Sequence, residues 1–460
     1  MLKESAALSI LDGMRIPLRT WALAVAAAVM ASALVALWSP SGMDYLAPSC
    51  VTTVCDDPGA SIDALSHGDL DGFFANQPPM GSFSMLLRTP PAIVSNLAGG
   101  DDLGAYRSGV FICVLAVALL GAYLAMTMMR RGRPWTIWAL VGGACVINPL
   151  TYQAVYWGHP EELLAAALAV AGVIAVGRKH WLAGGLMLGA ALATKQWAAL
   201  ALIPALIAAP PGTRVRAAVT CLALAAALPL PMLAADPDRF HAAQERVSTA
   251  ADAYENTVTA TNLWWPFASA STGVETDGFG QPREITQYSL PGSAGRILHL
   301  GVIGVALALS LLYAVRRGRG EPDDLLLLVA LLFLLRCVFD PLTFSYHHAP
   351  FLIALIAFEG LRRSVPVLSA VTIGLLLFMN EVVVPTGEPW LINAFYVAWA
   401  LPLAGLMAMT LFKPDSRLAV RMRISRDVDD GRGEPRAGAA HLRALESRRA
   451  GSAGRADLAG

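Results

Sequence analysis

Between two basic loops, Arg178-Lys179 on one side and Arg214 with Arg216 on the other, the chain runs through one long apolar stretch whose only charged residue is Lys195. A lysine at membrane depth costs roughly 2.5–3.5 kcal/mol on insertion scales, so it normally faces a polar cavity and marks a working site. If Trp181 to Ala208 crossed once, Arg214 and Arg216 would lie outside, and every later basic loop would invert with them. Short loops rich in Lys and Arg stay on the cytoplasmic side, so the single crossing is rejected. The consistent solution is a helical hairpin of two short apolar halves, turning near Lys195 and returning to the side it left. Each half falls short of the roughly 20 residues of a full span. Irregular backbone at that depth is tolerated only where it is buried in protein or lines a wet cavity.

The rest of the chain has the same grammar. With 56% hydrophobic and 15% charged residues over 460 positions, it cannot form the surface of an ordinary soluble domain. The formal net charge of zero hides a segregation: basic residues sit in short inter-span loops and the tail, and acids in two long loops. Apolar runs begin at Trp21, Ala105, Trp135, Leu163, Ala217, Ile297, Leu325, the segment after His348, Val365 and Leu391. The prediction is an all-α polytopic membrane protein of about ten transmembrane helices plus the hairpin, multi-pass in the plasma membrane. Residues 1–20 form a cytoplasmic N-terminus, 21–412 the membrane domain with external loops 39–104 and 236–295, and 413–460 a cytoplasmic tail. That tail is too poor in apolar residues to offset its ordering entropy and is expected to be disordered, its arginines placed near lipid headgroups. The run from Trp21 to Trp38 lacks a small-residue cleavage pattern and reads as a span rather than a signal peptide.

Cys113, Cys145, Cys221 and Cys337 fall in apolar spans and read as small buried hydrophobes. Cys50 and Cys55 lie in the first external loop, where an oxidising compartment allows a bridge. In that loop Pro78-Pro79 and Pro90-Pro91 are expected to break the chain into short pieces, with Ala92–Leu97 a short helix on the membrane surface.

Topology gathers the polar groups at one face. The first external loop carries Asp44, Asp69 and Asp71 among other acids, against a single Arg88. Gly158-His159-Pro160-Glu161-Glu162 opens the fourth span, Lys195 tips the hairpin, Arg336 and Asp340 end a later span, and His347-His348 follow. A carboxylate can take a proton from an acceptor hydroxyl, and cations can hold a phosphate leaving group. No third ligand has helical spacing to the histidine pair, so a metal is not expected, nor is another cofactor. A transporter or lipid-carrier flippase would also place polar groups in its spans. It would be favoured by paired broken helices in inverted repeats, and only one hairpin is legible.

These segments in order, with the GHPEELL opening of span four, the Ala183 to Lys195 run and Tyr346-His347-His348, resemble the polyprenyl-phosphate-sugar-dependent integral membrane glycosyltransferases of the C-type fold. The resemblance covers roughly residues 20 to 412 and is nearest the actinobacterial mannosyltransferase-like group. It implies an inverting transferase that moves a hexose, mannose first, from a polyprenyl phosphate to a lipid or glycan acceptor on the outer face, with no nucleic-acid partner. It implies Asp44 as catalytic base and Lys195, His347, His348 and Arg336 around the donor phosphate. His159, Glu161, Asp69 and Asp71 are further candidates, the last two as rival bases. The chain differs from many of these relatives in having Gly158-His159 where they have Gly-Gln.

Overall fold

The computed structural model describes residues 17–39, 59–75, 81–248, 257–276, 282–318, 322–362 and 365–413. Asp44, the Cys50 and Cys55 pair, Pro78-Pro79 and the tail beyond Lys413 lie outside the described residues.

Helix α1 is Leu18–Trp38, followed by two short helices, α2 (Gly59–Ser66) and α3 (Leu70–Ala75). Then come α4 (Ser82–Leu97), α5 (Asp102–Arg130), α6 (Trp135–Val146), α7 (Pro149–Tyr156) and α8 (Glu161–Gly177). Helix α9 (Trp181–Thr194) breaks at Lys195, and a 3₁₀ turn (Gln196–Ala201) leads into α10 (Leu202–Ala208). Next are α11 (Arg214–Ala227), α12 (Leu230–Ala235) and α13 (Pro237–Ser248). An antiparallel hairpin of β1 (Ser269–Thr276) and β2 (Pro282–Ser289) precedes α14 (Ala294–Arg317), α15 (Pro322–Phe339), α16 (Ala349–Arg362), α17 (Val367–Phe378) and α18 (Pro389–Phe412). The protein is thus an all-α membrane protein. Among the described residues, five helical stretches are long and apolar enough to cross a membrane: α1, α5, α14, Val367–Thr386 and α18.

The remaining helices are shorter because two of them need not face lipid. Along α15 and α16, Leu325–Leu334 and Ala349–Leu361 are buried on every side, as befits helices at the centre of a bundle. Helices α8 and α9 cross closely: a Cβ on Gly184 would meet Val176 Cγ2 at 2.3 Å, and one on Gly172 would meet Leu188 Cγ at 2.7 Å. On the far face of α9, Gly185 abuts Ala217 and Thr220, and Gly189 abuts Cys221 and Leu224, so α11 runs parallel to α9.

Two chemically distinct ends result. At one, arginines sit at the helix ends: Arg130 over Trp21 at 5.7 Å, Arg178 over Tyr123 at 5.1 Å and Arg216 over Trp181 at 5.8 Å. There Arg131 donates to the Leu361 carbonyl, Arg362 pairs with Asp324, and the buried Glu359 carboxylate accepts from Leu368 N and Ser369 N at 3.0 and 2.7 Å, capping α17. Because Arg216 returns to Trp181, the segment from Lys195 to Ala208 leads back to the end from which α9 set out.

At the opposite end, Arg107 forks onto the Ser39 carbonyl at 3.0 and 3.2 Å, and the Tyr106 hydroxyl donates to the Val155 carbonyl. Here one expectation is corrected. Pro90 and Pro91 do not break the chain; they lie inside the sixteen-residue α4, which buries Met85, Arg88 and Ala92. Tertiary packing against α5 outweighs the lost backbone hydrogen bonds. The segment between α13 and α14 holds a β-hairpin, registered from Ser269 opposite Ser289 to Thr276 opposite Pro282.

Candidate active site

The site is built on the first turn of α8. Glu161 and Glu162 follow Pro160, where the positive end of the helix dipole favours carboxylates, and both are 1% exposed. Three positively charged or protonatable side chains converge on Glu161: Arg88 Nη1 at 3.3 Å, His159 Nδ1 at 3.2 Å and Lys195 Nζ at 3.1 Å. Lys195 also lies 3.5 Å from Glu162 Oε1. Each comes from a different element. Arg88 arrives from α4, passing so close to Gly109 that a Cβ there would meet its Nε at 2.7 Å, and Lys195 arrives at the extended residue that ends α9. The lysine that the sequence placed at a hairpin tip therefore has its charge already met by carboxylates.

Around this cluster lies a belt of aromatic rings. Tyr346 stacks between Phe344, at 5.8 Å, and His159, at 4.7 Å, in a near-parallel column running from an exposed ring to a buried one. Arg336, near the end of α15, has its guanidinium carbon 5.7 Å from the centre of the Trp197 ring. No carboxylate lies within ion-pair distance of Arg336 among the described residues.

The adjacent histidines differ. His348 has both nitrogens engaged, Nδ1 toward the Ser345 carbonyl at 3.1 Å and Nε2 toward the Tyr396 hydroxyl at 2.9 Å, and burial pushes its imidazole down to about 4. In His347, Nδ1 accepts from the Phe344 amide at 3.2 Å. Burial, then the positive charge of Arg336 and Lys195, holds His347 well below the usual histidine range. A neutral ring accepting at Nδ1 carries its proton on Nε2, so His347 is a donor rather than a cation.

The profile of Glycosyltransferase family 87 matches residues 81–341, more than half of the chain. The chain belongs to this family. It is therefore a membrane glycosyltransferase, with a sugar donor and an acceptor. No curated protein matches the chain.

The family 87 match takes in Arg88, His159, Glu161, Glu162, Lys195, Trp197 and Arg336, and ends just before His347 and His348. Of the residues expected from the sequence, the fold brings His159, Glu161 and Lys195 into direct contact, and sets Arg336, His347 and His348 beside them. Asp69 and Asp71 are exposed. The Asp69 carboxylate accepts from Gly72 N at 2.8 Å and so begins α3. Arg88 was passed over, although a lone arginine between Met85 and Ala92 in an acidic loop is the pattern of a cation drawn inward.

Proposed function

We propose that this glycosyltransferase moves a hexose, mannose first, from a polyprenyl phosphate to a lipid or glycan acceptor at the outer face of the plasma membrane, with inversion. The observation that carries this reading is Arg336, a cation with no carboxylate partner among the described residues, seated on Trp197 beside the donor face of His347. An arginine fork and an imidazole N–H match a phosphate leaving group, whose charge grows as the bond to the anomeric carbon breaks. Lys195 and His348 stand behind them: the first sets the field through Glu161 and Glu162, the second fixes the turn that presents His347. The glycosidic oxygen comes from the acceptor hydroxyl, whose proton passes to the base.

Asp44 is our choice for that base. It lies outside the described residues, but Ser39 is gripped by Arg107 at the site end, and a chain of five residues reaches at most about 18 Å from there. Asp69, spent as a helix cap, and Asp71, exposed on α3, are the weaker rivals. The same reading includes a C-type architecture of ten spans with the Lys195 hairpin, and the return of Arg216 to Trp181 supports it.

Purified protein in nanodiscs would be given polyprenyl-phosphate mannose or a nucleotide-activated mannose, with release of the lipid phosphate as the readout. Release from the first alone, with Arg336→Met raising KM about tenfold or more while Tm is unchanged, is the expected result. Turnover of the nucleotide sugar, or movement of the lipid across the bilayer without transfer, would overturn the reading.

A further inference from the structure

Among the described residues, the buried polar atoms without a hydrogen-bond partner include one on Glu162 and one on Trp197, both beside Lys195. Glu162 is 1% exposed, and while its Oε1 faces Lys195 at 3.5 Å, its Oε2 meets no donor. Trp197 carries Arg336 on its ring and packs edge-on against Phe333 at 5.1 Å, but its buried Nε1–H meets no acceptor. Glu162 faces Lys195, and Trp197 follows Lys195 by two residues. Glu162 lies near enough to Cys337 to act on its thiol electrostatically, and Arg336 is the residue before Cys337 on α15, so the carboxylate and the guanidinium lie in the same part of the bundle. A buried carboxylate oxygen and a buried indole N–H left unmade are costly, and the pair asks for a ligand that both donates and accepts at short range. Apolar acyl or prenyl groups do neither.

We propose that Glu162 and Trp197 form the sugar-reading edge of the donor site, Glu162 Oε2 accepting a hydrogen bond from one hexose hydroxyl and Trp197 Nε1 donating one to a hydroxyl oxygen. This rests on the lipid-phosphate hexose reading above, with the phosphate at Arg336. It makes the two residues determinants of which hexose is used. A site built to bond a hydroxyl discriminates strongly against an analogue that lacks it, because its own buried groups are then left unpaired.

The test uses wild type, Glu162→Gln and Trp197→Phe in nanodiscs, with polyprenyl-phosphate mannose and its monodeoxy analogues, one for each sugar hydroxyl, and reads kcat/KM. For each variant, one analogue should cost wild type about tenfold or more and cost that variant nothing beyond its loss on the intact donor. The other analogues should keep their wild-type ratios. A variant that lowers every donor by the same factor would overturn the inference, since that is what a role confined to holding Lys195 or Arg336 produces. Trp197→Phe keeps the ring under Arg336 and so remains informative if Glu162→Gln fails to fold. Wild type inactive with every lipid-phosphate hexose would remove the donor reading and this inference together. Normal transfer with unchanged ratios would remove this inference alone.

Discussion

With Arg88, His159 and Lys195 all within 3.3 Å of its carboxylate, Glu161 is the residue on which the site end depends. Replacing both members of a buried ion pair by apolar groups can be neutral, but deleting one leaves an uncompensated charge and typically costs about 3–5 kcal/mol. Glu161→Gln should therefore lower stability by about that amount, measured as a loss of the folded fraction in detergent unfolding curves. A change below ~1 kcal/mol would mean that water already reaches the cluster. Part of this was legible beforehand. A lysine in an apolar run and acids at a span mouth each announce a polar site, and they were expected at the same end. That they neutralise one another, so that Arg336 rather than Lys195 has no carboxylate partner among the described residues, depends on a contact between α8 and the end of α9 that no local pattern encodes.

At the scale of elements, the crossing of α8, α9 and α11 depends on glycine. A methyl on Gly189 would lie 2.6 Å from the Cys221 carbonyl oxygen, whereas one on Gly143 would meet nothing within 4 Å. Gly189→Ala should cost about 1–3 kcal/mol by wedging α9 from α11. Gly143→Ala, in the middle of α6, should be neutral or stabilising by about 0.5–1 kcal/mol. Parallel unfolding curves of the two variants would show the contrast, and equal effects would rule out the close packing. The hairpin was legible because the loop charges leave few solutions. The persistence of α4 through Pro90-Pro91 was not, since sequence shows the two missing amides but not the packing that compensates. The β-hairpin was hidden for another reason: an alternation of small polar residues such as Ser269-Ala270-Ser271-Thr272 gives almost no hydropathy signal.

Over the whole molecule, the separation of an arginine-rich end from the site end predicts sidedness. In a chain with Cys50 and Cys55 replaced by Ser, the remaining cysteines are buried, so single reporters can be read with little background. Tyr152→Cys, at a position 57% exposed near the site, should label from outside with an impermeant thiol reagent, and Arg216→Cys should not. Labelling of residue 216 from outside would contradict the shared end of Arg216 and Trp181. The three-way contact at Glu161 also bears on how the chain is made. Ribosomes deliver Arg88 first, then Glu161, then Lys195, so the carboxylate has been made before the lysine emerges. The stretch from Trp181 to Ala208 is long enough to leave the translocon as one crossing; the basic loops at its two ends oppose that, and a carboxylate already in place for Lys195 would add to the preference for a hairpin. Without Glu161 and Glu162, part of the nascent chains should take the single crossing, and in that part the reporter at residue 216 would face outward.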